Sequence, residues 1–133
     1  MTTFTAVPAT TSVRRSRRAR AGRIGRWAVR IVLAAQFVAG GVLKLTADPT
    51  MVAMFDDIGA GQGLRLLVGA CELAGGIGVL LPPVSRLAAA GLVGLMIGAA
   101  ITNVVALQIS PVVPLVLLVL ALLVVVTRTR KEN

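Results

Sequence analysis

The sequence predicts an all-α integral membrane protein: a four-helix bundle with a short interfacial helix between its first and second spans. Three observations carry that expectation. The 133 residues are 56% hydrophobic and only 14% charged, whereas a soluble domain has roughly 25% charged residues. Aromatics make up 3% of the chain, with no Tyr and no His, and the mean hydropathy is +0.90. The apolar residues gather into four stretches, each close to the roughly 17–25 residues that carry a helix across about 30 Å of hydrocarbon.

The N-terminal segment differs from the body. Residues 1–25 are expected to form a disordered, Arg-rich tail. Residues 1–13 are Thr- and Ala-rich without apolar periodicity, and Arg14, Arg15, Arg17, Arg18, Arg20, Arg23, Arg26 and Arg30 come in close succession after them. Like charges at that density repel one another and resist compaction. The run abuts an apolar span and has no interleaved aromatics, so it reads as a topology signal attracted to anionic headgroups. Nucleic acid is not expected as a partner. Val13-Arg14-Arg15-Ser16 has a faint twin-arginine look, but the residues beyond it form further membrane spans, not a soluble mature domain.

The body is expected over residues 26–128, with spans at about 27–45, 64–81, 86–108 and 112–127 and a short tail at 129–133. Pro82-Pro83 separates the second span from the third, and Ser110-Pro111 the third from the fourth. In lipid every backbone polar group must be satisfied internally, so these spans are helices. Four spans put both termini on one side. That side carries the Arg run, Arg86, Arg128, Arg130 and Lys131, against Lys44 and Arg65 opposite. The positive-inside rule therefore places both termini in the cytoplasm.

Between the first two spans, Asp48-Pro49 opens a short amphipathic helix, with a carboxylate cap and then a residue preset for the first turn. Met51, Met54, Phe55 and Ile58 recur at helical spacing, and Gly59 can end the helix. The helix is expected to lie at the outer membrane surface.

Residue types limit the chemistry. Without His there is no imidazole base and no histidine ligand, and a single Cys71 allows no intrachain disulfide or CxxC pair. Classical triads, zinc sites and iron–sulfur sites within this chain are excluded, and no metal site or intrinsic cofactor is expected. Cys71 itself reads as a small buried apolar residue.

Polar groups at membrane depth are functional candidates. At 1.5 Å per residue, Gln36 lies about 15 Å and Lys44 about 27 Å along the first span. Glu72 lies about 12 Å below the outer end of the second span, and Asn103 about 25 Å along the third. Lys44, Arg65, Glu72 and Asn103 thus fall in the outer half on three different helices. Gln36, Gly40 and Lys44 share one helix face; Arg65, Gly69, Glu72 and Gly76 share another. Gly40, Gly41, Gly75 and Gly76 let helices approach closely. A buried Glu72 calls for a cationic partner, Lys44 or Arg65. Lys44, near a helix end, has the alternative of snorkelling to the outer headgroups.

Three roles stand open for this cluster: interhelical packing, lining a pocket for a quinone or lipid headgroup, and proton handling by Glu72. Gly94 and Gly98 form a GxxxG, read as bundle packing with homo-oligomerisation as the alternative. The fourth span, nearly all Val and Leu, reads as a lipid-facing wall.

Phe37-Val38-Ala39-Gly40-Gly41-Val42-Leu43-Lys44-Leu45 with Asp48-Pro49 after it, Gly69-Ala70-Cys71-Glu72-Leu73-Ala74-Gly75-Gly76, and Arg86-Leu87-Ala88-Ala89 resemble, in that order, the DoxX and DoxX-like family. The resemblance covers about residues 27–127. It implies a compact four-helix bundle in the bacterial inner membrane, linked to oxidoreductase or oxidative-stress systems; archaeal relatives are subunits of a thiosulfate:quinone oxidoreductase. On this reading the chain is a membrane partner or anchor of redox enzymes rather than an enzyme itself. The bilayer is its first partner and a quinone the candidate ligand. A small transporter or proton-coupled carrier, and a purely structural subunit or chaperone, are the alternatives.

Overall fold

The computed structural model describes residues 10–127. Among them are five helices: α1 (Thr10–Leu45), α2 (Pro49–Asp57), α3 (Gly61–Gly78), α4 (Ser85–Val105) and α5 (Val112–Val126). The four long helices run alternately up and down. α1 packs mainly on α3, α4 on α5, and α3 joins the two pairs through α4.

Contacts fix the α1–α3 register. A Cβ on Gly41 would lie 2.8 Å from the Gly69 carbonyl oxygen, and one on Gly69 would lie 2.9 Å from Lys44 Cβ. Further down, a Cβ on Gly76 would come within 3.2 Å of the Ala34 carbonyl. These glycines bring two backbones together where any side chain would hold them apart, which is how helices associate when lipid is as apolar as the protein. Gly75 instead makes room for a side chain of α4: a Cβ there would meet Leu92 Cδ2 at 2.6 Å. Around this seam Leu33, Phe37, Val79, Ala89, Leu92, Met96, Ala121 and Val124 form the buried core.

The short helix forms as its sequence predicts. Asp48 Oδ1 accepts from the amides of Thr50 at 3.1 Å and Met51 at 3.4 Å, and Pro49 opens the first turn. Phe55 is buried, Met51, Met54 and Ile58 are half-buried, and Gly59 comes after the helix at φ +73°.

Four expectations are corrected. The segment from Thr10 to residue 25 is helical and continuous with the first span, not disordered. Arg and Ala are good helix formers, no proline interrupts the run, and extending an existing helix needs no new nucleus. The rest of that tail, residues 1–9, and the tail at 129–133 lie outside the described residues. Gly94 and Gly98 do not pack within the bundle: a Cβ on either would meet nothing within 4 Å. They lie on the outward side of α4 with exposed Ile101 and Leu87. Cys71 is exposed on the outside of α3, because the neighbouring Glu72 takes the inward position and successive residues diverge by about 100°. Finally, α3 and α4 each end three residues earlier than expected. α3 stops ahead of Pro82-Pro83, consistent with the restriction proline places on the residues before it.

Candidate functional site

The site lies at the α2 end of the bundle. Lys44 is on the last turn of α1 and Glu72 in the middle of α3. Lys44 Nζ donates to Glu72 Oε2 at 2.8 Å, with the two side chains 12% and 8% exposed. Gly40, one turn before Lys44, makes the room: its Cβ would stand 3.2 Å from Glu72 Oε2. Lys44 thus turns inward to the carboxylate instead of reaching outward. A charge pair so enclosed is neutral overall, and each partner offsets part of the cost of burying the other.

Arg65 is buried too, but its partner is not Glu72. Its Nη1 donates to the Lys44 backbone carbonyl and its Nε to Gln62 Oε1. The Lys44 carbonyl belongs to the final turn of α1, where helix geometry leaves acceptors without intrahelical donors. A cation there also complements the helix dipole. Gln62 in turn donates to Asp56 Oδ1 at 2.6 Å and the Val52 carbonyl at 3.3 Å. The chain of bonds ties α1, α2 and α3 together at one end. Sequence reasoning missed Gln62; its position three residues before Arg65, one helix turn away, was the available signal.

A cavity of about 180 Å³ opens beside the ion pair. Gln36, Lys44, Glu72 and Asn103 supply its polar lining, and Phe37, Met96 and Leu117 part of its apolar wall. Gln36 makes no hydrogen bond within the described residues, and Asn103 Nδ2 donates at 3.2 Å to the Ser110 carbonyl rather than to the ion pair. The fold therefore brings Gln36, Lys44, Glu72 and Asn103 to one cavity, while Arg65 acts beside it as a helix cap. Lys44 has three ammonium donors and uses one on Glu72. The lining is mostly apolar, with a few polar groups set into it.

The outer surface of the bundle defines the class. Ile31, Val32, Leu66, Leu67, Ile77, Leu87, Ile97, Val105, Val116, Val119 and Leu123 are all exposed. The α1 and α4 helices are long and apolar enough to cross a membrane, and only 28% and 17% of their most apolar windows are buried. A core helix of a soluble protein is buried on every apolar face; here those faces look outward. This is a small helical membrane protein with a neutral ion pair set into its interior. It belongs to the DoxX-like family, whose model matches residues 28–126. No curated protein and no solved structure matches the chain.

Proposed function

We propose that this chain is a noncatalytic membrane partner or anchor of a redox system, with a binding site for a quinone-type ring or comparable neutral headgroup in the outer half of a four-span bundle. The observation that carries the reading is the Lys44–Glu72 pair in the wall of the cavity. Charge compensation leaves the site neutral, and the unused ammonium protons of Lys44 and the amide of Gln36 offer donors to a carbonyl oxygen. At about 180 Å³ the cavity suits a single ring, with an isoprenoid or acyl tail lying along the exposed apolar faces. The redox association rests on the family resemblance. The inner-membrane location and cytoplasmic termini rest on the resemblance and on the distribution of positive charge.

In this reading α1, α3, α4 and α5 all span, and α2 lies at the outer surface. The 15-residue α5 covers about 22 Å, and flanking residues and local thinning of the bilayer make up the difference.

Methionine methyl resonances test the site, because Met96 lines the cavity while Met51 and Met54 do not. Titration of the purified protein with a short-chain ubiquinone analogue is expected to shift the Met96 methyl selectively, and Glu72→Gln or Lys44→Met to weaken that response. Uniform or absent shifts would remove the pocket from the reading. Affinity capture in mild detergent tests the partner role, with redox enzymes as the expected companions.

A further inference from the structure

We propose that Arg30 is the centre of a second site, for the phosphodiester of an anionic phospholipid in the leaflet at the Arg-rich end of the bundle. Arg30 is 3% exposed, and its Nη2 is buried with no hydrogen-bond partner among the described residues. The acidic side chains described are Asp48, Asp56, Asp57 and Glu72. The three Asp lie at the opposite end of the bundle, and Glu72 is held by Lys44. The α1–α3 register sets Glu72 beside Gly40, about 15 Å along α1 from Arg30. Nothing described neutralises Arg30, and an uncompensated buried guanidinium is strongly unfavourable.

The surroundings indicate what does. Continuing the register that pairs Gly41 with Gly69 and Gly76 with Ala34 places Arg30 level with the Pro82-Pro83 turn, where the spans end. Trp27 marks the same level from α1: its ring centroid is 5.6 Å from Arg30 Cζ, and tryptophan is enriched at the headgroup region. The guanidinium is thus held against an aromatic face while its Nη2 is left over. Arg23 and Arg26 precede Arg30 by seven and four residues on the same side of the helix. From α4, Arg86 Nε donates to the Val125 carbonyl at 3.1 Å, adding a further cation at this end. A planar donor fork among cations selects a phosphate oxyanion. Ile31 and Val32, both exposed next to Arg30, offer acyl chains an apolar surface. The inference rests on the bundle standing in a membrane, but not on the Lys44–Glu72 cavity, which lies at the other end.

Native mass spectrometry of the full chain in neutral detergent tests it. Phosphatidylglycerol is titrated against the wild type, Arg30→Met, Arg30→Lys, and a tail variant in which Arg14, Arg15, Arg17 and Arg18 become Gln; phosphatidylcholine and inorganic phosphate form parallel arms. The expected result is one tight phosphatidylglycerol adduct on the wild type, kept by the tail variant and weakened about tenfold or more in Arg30→Met, a difference of about 1.4 kcal/mol. Arg30→Lys keeps the charge but not the fork, so its loss is smaller; it also serves as the readout if Arg30→Met does not fold. Phosphatidylcholine, which carries its own cation, binds more weakly. Phosphatidylglycerol is expected to raise the melting temperature of the wild type more than that of Arg30→Met. Equal adducts on wild type and both Arg30 variants, or loss only in the tail variant, would overturn the site. Binding of inorganic phosphate without phosphatidylglycerol would overturn the lipid assignment.

Discussion

Lys44 and Glu72 are 28 residues apart in the chain and 2.8 Å apart in the fold, joined across the α1–α3 seam. Their worth is best read from a double-mutant cycle. Glu72→Gln and Lys44→Met, taken singly, each leave one buried group uncompensated and are expected to cost about 3 kcal/mol. The double variant should lose much less than the sum, giving a coupling energy above about 1 kcal/mol by denaturant unfolding in detergent. Additive losses would mean that the pair does not couple.

Two sets of glycines should respond oppositely to the same change. Gly41→Ala forces a methyl toward the Gly69 carbonyl and the Leu73 amide, at 2.8 and 2.9 Å, and is expected to destabilise by about 1–3 kcal/mol. Gly94→Ala and Gly98→Ala put a methyl into open space and gain helix propensity, up to about 1 kcal/mol each. Melting temperatures of the purified variants distinguish the two sets.

Ala47, the second residue past the end of α1, is held at φ +56°, where the Asp48 amide donates to the Leu43 carbonyl at 3.0 Å. This is a helix-terminating geometry that glycine adopts without steric cost. Ala47→Gly is expected to stabilise the protein by about 1 kcal/mol, read as a raised unfolding midpoint. An unchanged or lowered midpoint would contradict the strain.

Asp48→Ala should remove the side-chain acceptor that caps α2. The expected cost is about 1 kcal/mol, falling on α2 itself. Faster hydrogen exchange at Thr50 and Met51, with α3 amides unaffected, is the signature.

Cys71 provides a direct probe of whether α3 spans the membrane. As the only cysteine, on the outside of the bundle, it can carry a single spin label. In liposomes the label is expected to relax with oxygen, which partitions into lipid, rather than with a water-soluble nickel chelate. Relaxation by the chelate would place this face of α3 in water.

Much of the fold is legible in the sequence because the relevant physics is local. Helix punctuation at Asp48-Pro49, Pro82-Pro83 and Pro111 needs only the neighbouring residues, and those breaks appear in the fold. Helical spacing puts Gln36, Gly40 and Lys44 on one face, and depth arithmetic puts Glu72 and Asn103 near them. The Arg-rich segment departs from expectation for a local reason as well: helix propensity, and the ease of extending a helix already begun, outweigh repulsion between the arginines.

The sequence by itself determined the helical, membrane-embedded character of the chain, through apolar run length and the scarcity of charge. Only the tertiary structure decided which partner each charge took. Lys44 and Arg65 were equal candidates for Glu72 until the Gly41–Gly69 contact set the α1–α3 register, turning Lys44 toward the carboxylate and leaving Arg65 to cap α1. Packing likewise buried Arg30 on α1 and left Cys71 on α3, and Gly94 and Gly98 on α4, on the outside. The physical reason is that helical periodicity specifies which residues share a face, while the rotation and offset of that face against its neighbour arise from contacts between residues far apart in the chain.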